Sequence, residues 1–205
     1  NFLDNGTEGQ RLEIKSQSTM AVSINGGSMG VAAGSVEVTG GVGVNNSGKL
    51  VLGTADESLT SIVIKNNNAT KNTLSLGSGA TGSLYAAGDV SLQSSAQNGY
   101  LSVSLAGSGT KLDLQAGGTA SFTGAVTMAS SAQADISADS VTIDGYVRNA
   151  NSDLNLKADN KITIITETDA GYSYSGVSSS GNTAVQAQTF EVYGSLTSAG
   201  TGSTF

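Results

Sequence analysis

Proline, cysteine, histidine and tryptophan are all absent from this chain of 205 residues. Without cysteine and histidine the chain can form no disulfide, no Cys or His metal site, no thiol nucleophile and no histidine-based catalytic triad. Hydrophobic residues make up 38% of the sequence and aromatic residues only 5%, and both values are low for a compact globular core. These absences exclude several classes of enzyme and favour an architecture that needs few large side chains.

Charge is sparse and predominantly negative. The sequence has 9 Lys and Arg residues against 16 Asp and Glu residues, which gives a formal net charge of −7. Because a negative surface repels a phosphate backbone, we expect no nucleic-acid partner. No apolar run approaches the ~18 residues of a membrane span, so we expect no membrane insertion and place any export signal or anchor outside these residues.

One pattern recurs along most of the chain: an apolar residue, a small or polar one, a second apolar residue, and then a turn-forming Gly, Ser, Asn or Asp. Its instances are the pairs Leu12 and Ile14, Val22 and Ile24, Val36 and Val38, Val42 and Val44, Leu50 and Leu52, Ile62 and Ile64, Leu74 and Leu76, Val90 and Leu92, Leu101 and Leu105, Leu112 and Leu114, Val126 and Met128, Val141 and Ile143, Leu154 and Leu156, and Ile162 and Ile164. Alternation at period two between turn formers predicts short β-strands.

The spacing of these pairs predicts how the strands are arranged. Most follow each other at about 11–15 residues, with half-length steps such as Val36 to Val42 and Leu154 to Ile162. Two or three buried side chains per strand are too few for a hairpin sandwich. If successive phrases coil and stack ~4.8 Å apart, however, the apolar residues form continuous columns. The sequence therefore predicts an all-β parallel β-helix (a β-solenoid) with Gly and Asn at its corners. Proline is excluded because it cannot donate a hydrogen bond to the ladder.

The pattern also predicts the organisation of the chain. Residues 1–10 are expected to form a loose N-terminal segment, and residues 11–165 the β-solenoid, with six to eight rungs and a length of about 30–40 Å. Residues 166–205 are expected to form a polar C-terminal cap. Within that cap we expect a loop over 166–183, one longer alternating strand over 184–196 and a flexible end.

Three segments resemble a known family. They are Gly88 to Ala96 (GDVSLQSSA), Lys111 to Gly118 (KLDLQAGG) and Asp153 to Ile164 (DLNLKADNKITI). They are similar to repeats of filamentous-haemagglutinin-type adhesins and autotransporter passengers, and the resemblance covers about residues 85–165. It implies a secreted right-handed β-helix that displays loops for attachment to cells or to other copies. The third segment also resembles shaft segments of phage tail fibres, in which three chains wind together.

The acidic residues cluster late in the chain. They are Asp135, Asp139, Asp144, Asp153, Asp159, Glu167 and Asp169. Grouped carboxylates can bind calcium or line a polysaccharide-cleaving groove. We favour solvated turn residues, because the Gly-Gly-x-Gly-x-Asp calcium repeat of solenoids is absent and no tryptophan is available to line sugar subsites. We therefore predict no catalytic residue, no metal site and no cofactor.

The six tyrosines are the candidate surface-contact residues, because tyrosine is a favoured contact residue at interfaces. They are Tyr85, Tyr100, Tyr146, Tyr172, Tyr174 and, within the expected final strand, Tyr193. The alternative interpretation is that they cover corners or cap the ends of the rod.

The leading functional hypothesis is a non-enzymatic structural or adhesive rod of an extracellular bacterial surface protein or filament. Its expected partners are other copies of itself, end to end or side by side, and a host surface or glycan receptor. The alternative is a homotrimeric phage tail-fibre or tailspike shaft on a virion, which the half-length steps favour because interwoven chains tolerate short strands. A minor alternative is a polysaccharide-acting β-helix enzyme that uses Asp139 and Asp144.

Overall fold

The computed structural model describes residues 2–3, 11–32, 34–67, 72–94, 101–165 and 176–199. These ranges contain β-strands and no helix, and so no helix that could cross a membrane. In chain order the strands are β1 (Phe2–Leu3), β2 (Arg11–Asn25), β3 (Ser28–Val31), β4 (Ser35–Asn45), β5 (Lys49–Leu52), β6 (Ser61–Asn66), β7 (Leu74–Leu76), β8 (Thr81–Ala86), β9 (Val90–Ser94), β10 (Leu101–Ala106), β11 (Lys111–Ala116), β12 (Thr119–Thr123), β13 (Ala125–Ala129), β14 (Gln133–Asp144), β15 (Val147–Ala150), β16 (Asp153–Ile165), β17 (Val177–Ser179), β18 (Asn182–Gln186), β19 (Thr189–Tyr193) and β20 (Leu196–Ser198).

The strands pair in parallel and form three ladders, which we call faces 1, 2 and 3. Face 1 consists of the first halves of β2 and β4, then β6, β9, β12, the second halves of β14 and β16, and β19. Face 2 consists of the second halves of β2 and β4, then β7, β10, β13, β15, β17 and β20. Face 3 consists of β1, β3, β5, β8, β11, the first halves of β14 and β16, and β18. The chain visits the faces in this order in every turn.

Residues at equivalent positions of successive turns stand above one another. One inward column of face 1 contains Leu12, Val36, Ile62, Val90, Ala120, Val141, Ile162 and Phe190. Eight levels spaced by about 4.8 Å make a stack about 34 Å long. The predicted parallel β-solenoid is therefore confirmed, and the number of levels lies within the expected range.

The core is the space enclosed by the three faces. Ile64 of face 1, Leu76 of face 2 and Leu84 of face 3 are all fully buried, and the alternating residues between such positions face outward. Branched aliphatic side chains suit these columns, because they pack well on a pleated surface and extend only a short distance into a narrow interior. Although hydrophobic residues make up a small share of the sequence, a large part of them packs into one continuous core.

The half-length steps in the sequence arise where one strand bends around a corner. In β4, Val36 and Val38 belong to face 1, whereas Val42 and Val44 belong to face 2. The corner contains Gly40 with a φ of 120°, and a Cβ at this position would lie 2.8 Å from the Cβ of Ala21. Only glycine satisfies both the backbone conformation and the close approach. The short steps are thus explained within a single chain.

The C-terminal part differs from the expectation. The parallel ladders do not end at residue 165 but continue through β17, β18, β19 and β20. The prediction of one strand over 184–196 is wrong, because this stretch contributes to β18, β19 and β20, which lie on three different faces. Gly194, with a φ of 144°, lies at the corner between β19 and β20 and interrupts the alternation. The predicted loop over 166–183 lies mostly outside the described residues.

Candidate functional site

Asparagine side chains bind the late acidic residues from one level to the next. Asn155 Nδ2 donates to Asp135 Oδ1 at 2.5 Å, and Asn182 Nδ2 donates to Asp153 Oδ1 at 2.8 Å. At the corner between faces 3 and 1, Asn160 Nδ2 donates to Asp139 Oδ1 at 2.6 Å. These carboxylates therefore stabilise the stacking of adjacent turns. Asp139 and Asp159 lie at a corner, as expected of turn residues, whereas Asp135 lies within β14 and is only partly exposed.

The acidic residues are also dispersed rather than grouped. Asp144 ends a strand of face 1, whereas Asp135 and Asp153 lie on face 3 and Asp139 and Asp159 at a corner. In the described ranges no three acidic side chains come together in a geometry that could hold a metal ion. Two members of the predicted cluster, residues 167 and 169, lie outside those ranges.

Tyr85 lies half-buried on face 3, and its hydroxyl donates a hydrogen bond to Asp113 Oδ2 one level above. Burial, this hydrogen bond and the negative charge of Asp113 raise the pKa of Tyr85 to about 12. The hydroxyl is therefore a fixed proton donor at neutral pH. Beside it lies a cleft of about 270 Å³, whose lining includes Gln115 and Ser137.

A loop between β5 and β6 borders the same cleft with Thr54 and Ser58. The loop is internally ordered, because Thr54 N donates to Glu57 O at 2.9 Å and Glu57 N donates to Thr54 Oγ1 at 3.0 Å. Leu59 anchors it by its fully buried side chain and by a backbone hydrogen bond to Tyr85 O at 2.9 Å. Residues 55–58, by contrast, are exposed. The result is a polar loop with an exposed tip and a buried anchor, which we call the display loop (residues 53–60).

A second groove, of about 480 Å³, lies on the outside of face 2. Its lining includes Ser104, Thr127 and Arg148, which occupy successive levels of one outward column, and Tyr146 at the neighbouring corner. Tyr85 and Tyr146 are therefore on different faces, and the structure does not bring them into one site. The candidates Tyr100, Tyr172 and Tyr174 lie outside the described residues.

The C-terminal end of the solenoid exposes large apolar side chains. Phe190 is 37% exposed, Leu196 54% and Tyr193 57%. Phe190 and Leu196 occupy inward columns, so their exposure shows that the last level has nothing packed above it within the described ranges. The pattern of apolar pairs in the sequence does not reveal this surface. One further turn counted from Ile162 would have placed Phe190 in the same column.

Lys161 and Tyr193 both bond to Glu191 at this end. Lys161 Nζ lies 2.7 Å from Glu191 Oε2, and the Tyr193 hydroxyl donates to the same oxygen at 3.2 Å. The hydrogen bond from Lys161, its positive charge and the bond from Tyr193 lower the pKa of Glu191. The N-terminal end carries a matching set on face 1, in which Arg11 bonds both Glu13 and Glu37 while Lys15 Nζ lies 2.9 Å from Glu13 Oε1.

The described surface thus offers a cleft beside Tyr85, a groove on face 2, one ordered loop and the strands of the first and last turns. These surfaces can bind a partner through hydrogen bonds, through contacts with aromatic rings and through pairing of strands. No family model, curated protein or solved structure matches the chain. A function must therefore be argued from these surfaces alone.

Proposed function

We propose that the protein is a non-enzymatic structural and adhesive rod of an extracellular bacterial surface protein or surface filament. It acts by displaying loops and by associating with itself, and its external partner is a host surface or glycan. The observation that carries this proposal is the enclosure of one continuous apolar core by a single chain through eight levels. Such a stack is a stiff support that positions exposed loops at fixed heights.

The use of the polar side chains supports the same function. Asp135, Asp139 and Asp153 form hydrogen bonds between turns and are not paired across a cleft. A glycosidase of the usual type needs two carboxyl groups facing each other across the substrate. The display loop, in contrast, combines exposed polar residues with a buried anchor, which is what a contact surface requires.

The half-length steps do not need a second or third chain. The bend of β4 at Gly40 accounts for one of them, and β16 likewise passes from face 3 to face 1 within a single strand. The observation that favoured a trimeric phage fibre is therefore accounted for by one chain, and the surface rod is the function we propose.

Adhesion of coated beads tests the proposal. Beads that carry the protein are expected to bind cultured host cells or a glycan array. Replacing residues 54–58 by Asn-Gly is expected to reduce binding, whereas Thr163→Ala, on the outward side of face 1, is expected to leave it unchanged.

Three results would contradict the surface rod. The first is equal binding by bare beads. The second is a detergent-resistant mass of three chains under native conditions, which would support the fibre. The third is cleavage of an acidic polysaccharide that is lost in Asp139→Ala or Asp144→Ala, which would support the enzyme.

A further inference from the structure

We propose that copies of the chain stack head to tail, so that β19 and β20 of one copy pair in parallel with β2 of the next. The occupant of the exposed C-terminal end is thus a second copy of this chain. This inference specifies the geometry of the self-association proposed above and rests on that proposal.

The order of the faces makes this stacking geometrically continuous. The last described strand, β20, lies on face 2, and the first, β1, lies on face 3. Face 3 follows face 2 in every turn of the solenoid. Each face contains eight levels, so the described strands complete whole turns. A second copy placed one level above the first therefore brings each of its faces onto the same face of the first.

Both ends present backbone groups for this pairing. Among the described residues, β19 and β20 pair only with the level below, through β16 and β17. At the other end, within the same ranges, β2 has its strand partner β4 on the level above. Unpaired strand edges are templates for pairing with another chain, and both edges here have the parallel orientation that the ladder requires.

The apolar columns of the two ends are complementary. Continuing the observed register places Phe190 below Leu12 of the next copy, and Leu196 below Val22. Phe190 and Leu196 are exposed at one end, while Leu12 and Val22 are only partly buried at the other. Stacking therefore buries apolar side chains on both sides of the junction, which favours association.

The charges are compatible with the same register, which places Glu191 below Glu13 of the next copy. The chain already contains such a pair, because Glu13 and Glu37 occupy adjacent levels of one outward column and Arg11 bonds to both. At the junction, Lys161 of the level below bonds to Glu191, while Arg11 and Lys15 of the next copy flank Glu13. Cations on both sides thus offset the repulsion between the two carboxylates.

Disulfide trapping tests the register directly, because the protein has no cysteine to give a background. Lateral neighbours in a ladder are about 4.8 Å apart, which lies within the Cα separation of about 4.4–6.8 Å that a disulfide needs. Mixing the Glu191→Cys variant with the Glu13→Cys variant under oxidising conditions is expected to give a covalent heterodimer. The matched control mixes Glu13→Cys with Thr163→Cys, whose residue lies on the same face one level below Glu191, and is expected to give none.

Sedimentation of the unmodified protein provides a second measurement. We expect assemblies that grow with concentration, and electron micrographs of rods that lengthen in steps of about 38 Å. Leu196→Lys is expected to abolish growth because the lysine would point into the junction, whereas Thr197→Lys, which points outward, is expected to preserve it.

Stacking is overturned if the protein stays monomeric and the mixed cysteine variants do not cross-link. It is equally overturned if the control mixture cross-links to the same extent, or if a thiol reagent cannot reach Glu191→Cys in the monomer, which would show that another segment covers this end. Monomers that still adhere when coated on beads would overturn the stacking and the self-association, and would leave the adhesive part of the proposed function standing.

Discussion

Phe122 and Ile143 are adjacent in one inward column of face 1, with their Cα atoms paired between β12 and β14. Phe122 is 1% exposed and Ile143 0%. Phe122 also pairs with Leu92 on the level below, so it lies between two aliphatic side chains. Truncating Phe122 would therefore leave a cavity between two fully buried neighbours.

Truncation of this side chain is therefore expected to be costly. Phe122→Ala should lower the free energy of unfolding by about 3–5 kcal/mol, because it removes buried area and leaves a cavity. The matched control is Ser121→Ala, whose side chain points outward from the same strand and should cost less than about 1 kcal/mol. Urea unfolding followed by circular dichroism measures both values. Similar losses in the two variants would contradict the inward column.

Gly53 begins the display loop in a conformation that other residues rarely adopt. Its φ is 72°, and a Cβ at this position would lie 2.4 Å from the carbonyl oxygen of Tyr85. Gly53→Ala is therefore expected to destabilise the protein by about 1–3 kcal/mol. Gly27→Ala is the control, because a Cβ there meets nothing within 4 Å. Thermal unfolding should show a lower Tm for the first variant and an equal or higher Tm for the second, and the reverse order would refute the close contact.

The raised pKa of Tyr85 predicts a loss of stability in alkali. Folding raises this pKa from the ordinary value of 10 to about 12, so the folded protein holds the proton more tightly than the unfolded chain. The stabilisation is complete below pH 10 and is lost as the pH rises towards 12. Absorbance titration at 295 nm should detect a late-ionising tyrosine that disappears in Tyr85→Phe.

The contribution of the neighbouring carboxylate can be separated from that of burial. Asp113→Asn should lower the pKa of Tyr85 but leave it above 10, since burial is the larger cause. Asp135→Asn removes the next carboxylate of the same outward column, which hydrogen-bonds Gln133 and Asn155 instead, and serves as the control. An equal shift in both variants would show that the Tyr85–Asp113 hydrogen bond does not form.

The repetitive core could be predicted from the sequence because every turn needs apolar residues at alternate positions of its strands. Pairs such as Ile62 and Ile64 show period-two alternation with strongly apolar side chains, and all such pairs lie in strands. Strands whose inward side chains are small or polar do not show this alternation of apolar residues. In β17, Val177 and Ser179 alternate in burial just as the stronger pairs do, but serine is also typical of loops.

The end of the solenoid could not be predicted for a related reason. Residues 184–196 alternate regularly enough to suggest one strand, and local alternation does not show where a chain turns to a new face. The exposed surface formed by Phe190 and Leu196 depends on which level is last, and this is a property of the whole stack. The Tyr85–Asp113 contact likewise joins residues on adjacent turns, and only the register reveals it.

A polar group replaces the apolar column of face 2 near the C-terminal end. Met128 is followed at the next levels by Asn149 and Ser179. Asn149 Nδ2 donates to Asn182 O at 2.7 Å and to Thr183 Oγ1 at 3.0 Å, and the Thr183 hydroxyl donates to Ser179 Oγ at 3.0 Å. These buried hydrogen bonds join faces 2 and 3 in the last turns.

Loss of this network is expected to loosen only the C-terminal turns. Asn149→Leu leaves the Asn182 carbonyl and the Thr183 hydroxyl without this donor, which costs about 1–3 kcal/mol locally and outweighs the removal of the unpaired Asn149 Oδ1. Backbone hydrogen exchange in β17 and β18 should therefore accelerate about tenfold or more. Exchange in β6 and β9 should stay unchanged, because turns of a solenoid interact mainly with their neighbours. Met128→Leu, an apolar exchange in the same column, is the control and should alter neither region. Uniform acceleration along the chain in Asn149→Leu would mean that the rod unfolds as one unit rather than turn by turn.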